Sequence, residues 1–167
     1  WRRPAVRLEA EAIRDALLSV SGSLDTKMFG PGSLNQADKR RSVYLKVKRD
    51  KLIPILQLFD APNALQSIGE RNVTTVPPQA LAMMNSPYVR QHATMLAKRV
   101  KPKAETTAAQ MIVNAYSMVL SRQPTAGEVK MMAAFIERQS ASYDKDAKAK
   151  EIAIIDFCQL VLCLNEF

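Results

Sequence analysis

The spacing of apolar residues predicts a chain built mainly of amphipathic helices. Within residues 5–21, Ile13 and Leu17 lie four positions apart, and Leu8 and Ala12 extend the same apolar face. A period of 3.6 residues places such side chains on one side of a helix. The same spacing predicts further helices over 52–59, 87–100 and 107–120 and after Thr125.

The last apolar segment predicts the central helix of the fold. Eleven of the thirteen residues from Ile152 to Leu164 are apolar. A helix that is apolar nearly all round is expected to be buried among other helices. Gly22 predicts the end of the first helix. Thr125 and Glu128 form the spacing of a capping box, which predicts a helix start there.

Prolines define two further helix starts between residues 71 and 89. A residue that precedes proline is excluded from the α region, so a helix is expected to begin at Pro78. Ser86 fits an N-cap and Pro87 the first position of the next helix. The helical period then predicts that Leu81 and Met84 point inward.

Residues 42–48 alternate in a different period. Val43, Leu45 and Val47 alternate with Tyr44, Lys46 and Lys48. Period-two alternation predicts a short strand or hairpin with one basic face. The sequence therefore predicts a mainly α fold: a compact bundle of about six or seven helices around a buried C-terminal helix, with one short β-strand or hairpin near 42–48.

Length and charge limit the function classes. A chain of 167 residues fits a single domain, here 1–167. The sequence has no apolar run of roughly 18 residues, the length that a membrane-spanning helix needs. A net charge of +8 fits an anionic partner such as lipid headgroups, nucleic acid or an acidic glycan. It equally fits a lysine-rich soluble surface.

Two polar groups are candidate binding residues. The basic strand offers cations and an aromatic ring for stacking, although lysines on an exposed strand also prevent aggregation. The second group contains more polar side chains than a helix start requires. The candidates are Arg41, Tyr44, Lys46 and Lys48 on the strand, and Arg71, Asn72, Thr74, Thr75 and Gln79 before the helix.

Other charged residues fit structural ion pairs better than catalysis. Three of them lie together on the first helix, either facing solvent or bonding to a neighbouring loop. Asp156 lies in the apolar last helix and needs a cationic partner, such as Arg41 or Arg71. The ion-pair candidates are Glu11, Arg14, Asp15, Asp60 and Asp156.

The sequence lacks the usual residues of metal and nucleophile sites. His92 is the one histidine, and Cys158 and Cys163 lie five residues apart. Metal sites need several ligands, so neither a metal nor a cofactor is predicted in this domain. The cysteines fit small buried apolar residues. No catalytic residue is assigned.

Several motifs resemble, in order, the DUF1553 (PSD1) domain family, which is abundant in planctomycetes. They are Leu8-Glu9-Ala10-Glu11-Ala12-Ile13-Arg14-Asp15-Ala16-Leu17, Arg40-Arg41-Ser42-Val43-Tyr44-Leu45, Leu58-Phe59-Asp60, Thr74-Thr75-Val76-Pro77-Pro78-Gln79-Ala80-Leu81, Asn85-Ser86-Pro87, Arg122-Gln123-Pro124-Thr125 and Leu164-Asn165-Glu166-Phe167.

The resemblance implies a setting rather than a reaction. Such domains form the C-terminal part of large exported proteins, often with a c-type haem domain in the same chain. It implies a periplasmic or extracellular location and companion domains as partners, and it transfers no catalytic residue.

These observations favour a non-catalytic interaction or assembly module that docks companion domains or an anionic glycan. Nucleic acid is a disfavoured partner for an exported protein. The alternative is part of an enzyme active site that a neighbouring domain completes.

Overall fold

The computed structural model describes residues 7–48, 53–62, 65, 68–103, 105–143 and 146–167. In these ranges the chain is mainly α, as predicted. Two compact units emerge: an N-terminal unit, from Trp1–Ser19 and Ser23–Gln79, and a C-terminal unit, from Val20–Gly22 and Ala80–Phe167. The described helices are α1 (Ala10–Val20), α2 (Pro54–Leu58), α3 (Pro77–Asn85), α4 (Pro87–Val100), α5 (Ala108–Val119), α6 (Ala126–Ser142) and α7 (Ala149–Leu162).

The C-terminal unit is built on α7, as the apolar run predicted. This helix packs mainly against α4 and α6 and also contacts α5. Its own buried residues include Ala153, Phe157 and Val161. Opposite them, α4 buries Val89, Ala93, Leu96 and Val100, and α5 buries Ile112, Ala115 and Tyr116. Burial of this apolar surface is the main stabilising contribution in the C-terminal unit.

Capping residues define the helix starts. The Ser86 hydroxyl accepts a hydrogen bond from the Tyr88 amide at 3.2 Å, at the start of α4. At α6, Thr125 and Glu128 form both bonds of the predicted capping box. Gly22 follows α1 with φ of +72°, the left-handed conformation that ends many helices. Capping chemistry thus predicted these boundaries from local sequence.

Helix α3 differs from its prediction in two ways. It begins at Pro77 rather than Pro78, and Leu81 and Met84 are more than half exposed. The prediction that they point inward was wrong because Gln79 takes the buried position. At about 100° per residue, positions two and five beyond Gln79 lie well away from its side of the helix.

Helix α1 begins at Ala10, and its buried face differs from the predicted one. Ile13 and Leu17 are buried, but Leu8 and Ala12 are exposed, and Arg14 is buried in their place. In α2, Ile55 is buried, as is Phe59 just beyond the helix. The predicted first residue of that helix, Leu52, lies outside the described residues.

The strand predicted at 42–48 was wrong. Residues Ser42–Tyr44 form a 3₁₀ turn, and the pairings described nearby are isolated bridges, among them Asp25 with Arg40 and Ser33 with Leu45. Val43 and Val47 are exposed, so their alternation buries no apolar surface. The physical reason is Ser42, whose backbone amide and hydroxyl both bond to Asp15 and turn the chain there.

Candidate functional site

A buried arginine connects α1 to the loop that follows it. The Arg14 guanidinium donates to the carbonyl oxygen of Arg40 at 3.0 Å and to the Ser42 hydroxyl at 3.1 Å. It also donates to the carbonyl oxygen of Asp38. Ser42 in turn donates to Asp15 at 2.7 Å. We call Arg14, Asp15, Asp38 and Ser42 the Arg14 cluster. Its charges bond to a neighbouring loop rather than to solvent.

A second cluster forms around Asp60, which has a φ of +63°. Arg7 donates to its carboxylate at 2.6 Å. Thr74 contributes two donors, its amide at 2.8 Å and its hydroxyl at 2.8–2.9 Å. Gln79 bonds to the carbonyl oxygen of Leu58 at 3.0 Å and lies 3.5 Å from the Thr74 hydroxyl. We call Arg7, Asp60, Thr74 and Gln79 the Asp60 cluster.

The electrostatics of the Asp60 cluster favour the ionised form of its carboxylate. Hydrogen bonds from the amide and hydroxyl of Thr74 lower the pKa of Asp60, and the charge of Arg7 adds to that effect. A carboxylate with a lowered pKa is a weak general base, since it gains a proton less readily. The cluster therefore suits fixing the segment before α3 more than proton transfer.

The remaining candidates before α3 divide into bonded and exposed residues. Arg71 bonds to Glu11 at 2.9 Å and to Glu9 at 3.1 Å, and the Glu11 hydrogen bond raises the pKa of Arg71. Asn72 and Thr75 are exposed. Of the five candidates, Thr74 and Gln79 thus share one cluster, Arg71 belongs to a separate ion pair, and two face solvent.

The other candidates lie in residues 25–48, which we call the basic loop. It contains six basic and two acidic residues. The Arg41 side chain is 67% exposed and only 3.6 Å from Asp15, and Lys46 and Lys48 are also exposed. The Tyr44 ring is less available than predicted, because the Arg40 guanidinium lies 4.4 Å from its centroid.

Arg40 and Tyr44 also fix a turn at residues 28–31, which we call the Phe29 turn. Arg40 donates to the carbonyl oxygens of Phe29 at 3.0 Å and Pro31 at 2.6 Å. The Tyr44 hydroxyl accepts from the Phe29 amide at 2.8 Å. Phe29 has a φ of +65°, a conformation that costs roughly 1–2 kcal/mol for a residue with a β-carbon.

In the C-terminal unit, Asp156 pairs with Arg90 at 2.6 Å rather than with Arg41 or Arg71. Arg90 also donates to Gln159 at 2.9 Å. Sequence reasoning did not identify Arg90, although its position on the helix after Ser86 was predicted. Which arginine reaches the carboxylate depends on how α4 packs against α7, which periodicity alone does not determine.

Sequence reasoning also missed the ion pairs of Arg122. Its guanidinium bonds to both Glu128 and Glu166, each at 2.6 Å. The Arg122 hydrogen bond lowers the pKa of Glu128 to about 2, and it also lowers the pKa of Glu166. The capping box was the available signal for Glu128. Nothing local pointed to its partner.

The histidine and cysteines lie in buried or half-buried positions. His92 Nδ1 is 2.9 Å from the Ser21 hydroxyl. Both cysteines are free thiols, and burial raises the pKa of Cys158 to about 12. Within the ranges that the structure describes, no three histidine, cysteine or acidic side chains are grouped so as to hold a metal ion.

The family model described as PSD1, protein of unknown function (DUF1553), matches residues 1–136. The chain belongs to the PSD1 family. A search of curated proteins gave no match. A search of solved structures likewise gave none.

The PSD1 match includes both polar clusters of the N-terminal unit and the basic loop. The motif Leu164-Asn165-Glu166-Phe167 lies beyond it. Among the helices that the structure describes, this PSD1 chain has none long and apolar enough to cross a membrane.

Proposed function

We propose that this PSD1 chain is a non-catalytic interaction module whose basic loop binds an anionic partner. The observation that carries the proposal is that several cations of the basic loop are exposed, whereas carboxylates of the same unit are hydrogen-bonded within it. Arg41, Lys46 and Lys48 are exposed in a loop with an excess of positive charge. In contrast, the carboxylates of Asp15, Asp38 and Asp60 accept hydrogen bonds from neighbours in the N-terminal unit. An excess of exposed positive charge attracts anions.

The bonding of the carboxylates supports an interaction role over an enzymatic one. Asp60 accepts hydrogen bonds from Thr74 and Arg7, and Asp15 accepts two from Ser42. A general base needs a carboxylate oxygen free to take a proton from substrate. These oxygens instead fix loops, and a fixed loop presents its exposed cations in a constant arrangement.

The proposed partner is an anionic polysaccharide or an acidic face of a companion domain. We extend the proposal to the setting that the family resemblance implied: an exported, multidomain protein, in which a c-type haem domain lies elsewhere in the same chain. In that setting the loop would either retain the protein on an extracellular glycan or join two of its domains.

Binding to heparin, a sulfated polysaccharide, tests the proposal. We expect the double variant Lys46→Glu and Lys48→Glu to reduce affinity by roughly tenfold or more, since reversing two contact charges removes attraction and adds repulsion. Wild-type binding should weaken as salt rises, because ions screen exposed charges. Affinity is measured by titration calorimetry over a series of salt concentrations.

The matched control is Lys130→Glu with Lys150→Glu, two exposed lysines of α6 and α7. Both double variants change net charge by the same amount. If heparin affinity falls equally in both, binding follows total charge and the basic loop is not a site. Absence of any salt-sensitive binding to heparin, combined with no binding to acidic companion domains, would rule out the proposal.

A further inference from the structure

The Phe29 turn exposes two large apolar side chains. Met28 is 65% exposed and Phe29 is 77% exposed. They lie within seven consecutive exposed residues, 25–31. A β-carbon placed on the neighbouring Gly30 would meet no atom within 4 Å. The turn therefore reaches into open space. Contiguous exposed apolar surface that is rimmed by polar residues marks interaction sites for proteins or membranes.

The exposure of Phe29 is fixed by its surroundings. Three hydrogen bonds hold the backbone of the turn: Arg40 donates two, and the Tyr44 hydroxyl accepts one. Phe29 has a left-handed φ. Unfavourable backbone conformations persist where surrounding contacts determine them, and they concentrate at functional sites.

Positive charge lies beside these apolar side chains. Lys27 directly precedes Met28, and it is exposed. Lys46 packs close to the turn, since its Cγ lies 3.0 Å from where a β-carbon on Gly32 would be. The basic loop has six basic residues against two acidic ones. The turn thus combines an apolar tip with cationic flanks.

From this combination we infer that the Phe29 turn attaches the protein to the surface of an anionic lipid bilayer. Met28 and Phe29 enter the boundary between headgroups and acyl chains, while Lys27 and Lys46 contact the anionic headgroups. The affinity of a protein for a membrane surface rises with the apolar area that it buries and with its attraction to anionic lipid.

Other binding partners fit the apolar tip, Met28 and Phe29, less well. A glycan offers negative charge but no hydrocarbon layer to cover Met28. A stable protein interface covers roughly 800 Å² on each partner, far more than two side chains provide. A second copy of the chain would bring like charges together, because each carries a net charge of +8. The inference goes beyond the proposed function, since it depends on the apolar tip and not on charge alone.

Vesicle flotation tests the inference. The whole chain is mixed with phosphatidylcholine vesicles with and without phosphatidylglycerol. We expect binding only when phosphatidylglycerol is present. Phe29→Ser should reduce the partition coefficient by about tenfold, the loss expected when one buried aromatic side chain is removed. Phe29→Trp should retain binding, and its fluorescence should shift to the blue on adding vesicles.

The control is Met131→Ser, since Met131 is 59% exposed on α6, away from the basic loop in sequence. It should bind vesicles as the wild type does. Equal vesicle binding by Phe29→Ser and wild type would overturn the inference, as would a wild-type dimer in light scattering that Phe29→Ser converts to monomer. Heparin binding by Phe29→Ser is measured in parallel. Because Phe29→Ser keeps every lysine, unchanged heparin affinity separates failure of this inference from failure of the proposed function.

Discussion

At the scale of single residues, Arg14 is the most consequential side chain of the N-terminal unit. It is fully buried, with a relative exposure of 0%. Its guanidinium donates to backbone carbonyl oxygens in the loop 36–40 and to Ser42. A planar group with several donors can satisfy carbonyls that no secondary structure pairs. Arg14 therefore supplies hydrogen bonds to loop carbonyl oxygens that a neighbouring strand would supply in a sheet.

Replacing Arg14 should destabilise the protein strongly. Arg14→Met keeps much of the volume but leaves part-buried carbonyl oxygens and the Ser42 hydroxyl without their Arg14 donor. We expect a loss of about 3–5 kcal/mol in the free energy of unfolding, as when one partner of a buried polar network is removed. Urea unfolding measures it. The control Arg41→Met alters an exposed side chain and should change stability by less than about 0.5 kcal/mol.

Residue types were easier to predict than residue partners. The sequence indicated that Glu11, Arg14 and Asp15 either face solvent or bond to a loop, and the structure shows bonds to segments distant along the chain. It did not indicate that Arg14 would be buried, because a charged residue between apolar ones also fits an exposed helix edge. Likewise, Asp156 was expected to need an arginine, but Arg90 became its partner through tertiary packing of α4 and α7.

At the scale of elements, periodicity succeeded where a helix had a buried side and local caps. Helices α4, α5 and α6 follow their apolar spacing, because burial and a side-chain N-cap act together on each of them. The strand predicted at residues 42–48 does not form, because within the described part of the chain these residues lack both a covered face and a partner strand. Alternation stabilises a strand only when another strand accepts its hydrogen bonds and one face is covered. Here the chain finds isolated bridges and a buried serine instead.

The end of α1 gives a prediction at this scale. Gly22 has a φ of +72°, and an added β-carbon would lie 2.9 Å from Arg99 Cδ. Gly22→Ala should lower the free energy of unfolding by about 1–2 kcal/mol, mainly through backbone strain. Thermal unfolding of Gly69→Ala provides the comparison, because Gly69 has no atom within 4 Å of its added β-carbon. Equal effects at the two positions would contradict this account of how α1 ends.

At the scale of the whole molecule, arginine–carboxylate and backbone–carboxylate bonds recur in both units. Bonds to Arg40 and Thr74 lower the pKa values of Asp38 and Asp60 in the N-terminal unit. Arg122 does the same for Glu128 and Glu166 in the C-terminal unit. All four carboxylates are therefore more readily ionised in the folded protein than in the unfolded chain.

Acid should consequently weaken the fold. A carboxylate with a lowered folded pKa stabilises the protein above its unfolded pKa and loses that contribution as pH falls through the folded pKa. For Glu128 the window runs from 4.5 down to about 2. Chemical unfolding measured between pH 7 and pH 2 should show that the free energy of unfolding falls within this pH window. Glu128→Gln should flatten that fall, whereas Gln at the exposed Glu137 should not. Identical pH profiles for both variants would contradict the role of Arg122.

The position of α7 along the chain has a consequence for synthesis. This helix follows the three helices that it packs against, yet it completes the apolar core that they share. A growing polypeptide exposes its segments in order from the N-terminus. The apolar sides of α4, α5 and α6 therefore leave the ribosome before their shared partner exists. Until α7 emerges, the apolar sides of these nascent helices lack their shared partner, and the C-terminal unit can complete its folding only after α7 has left the ribosome.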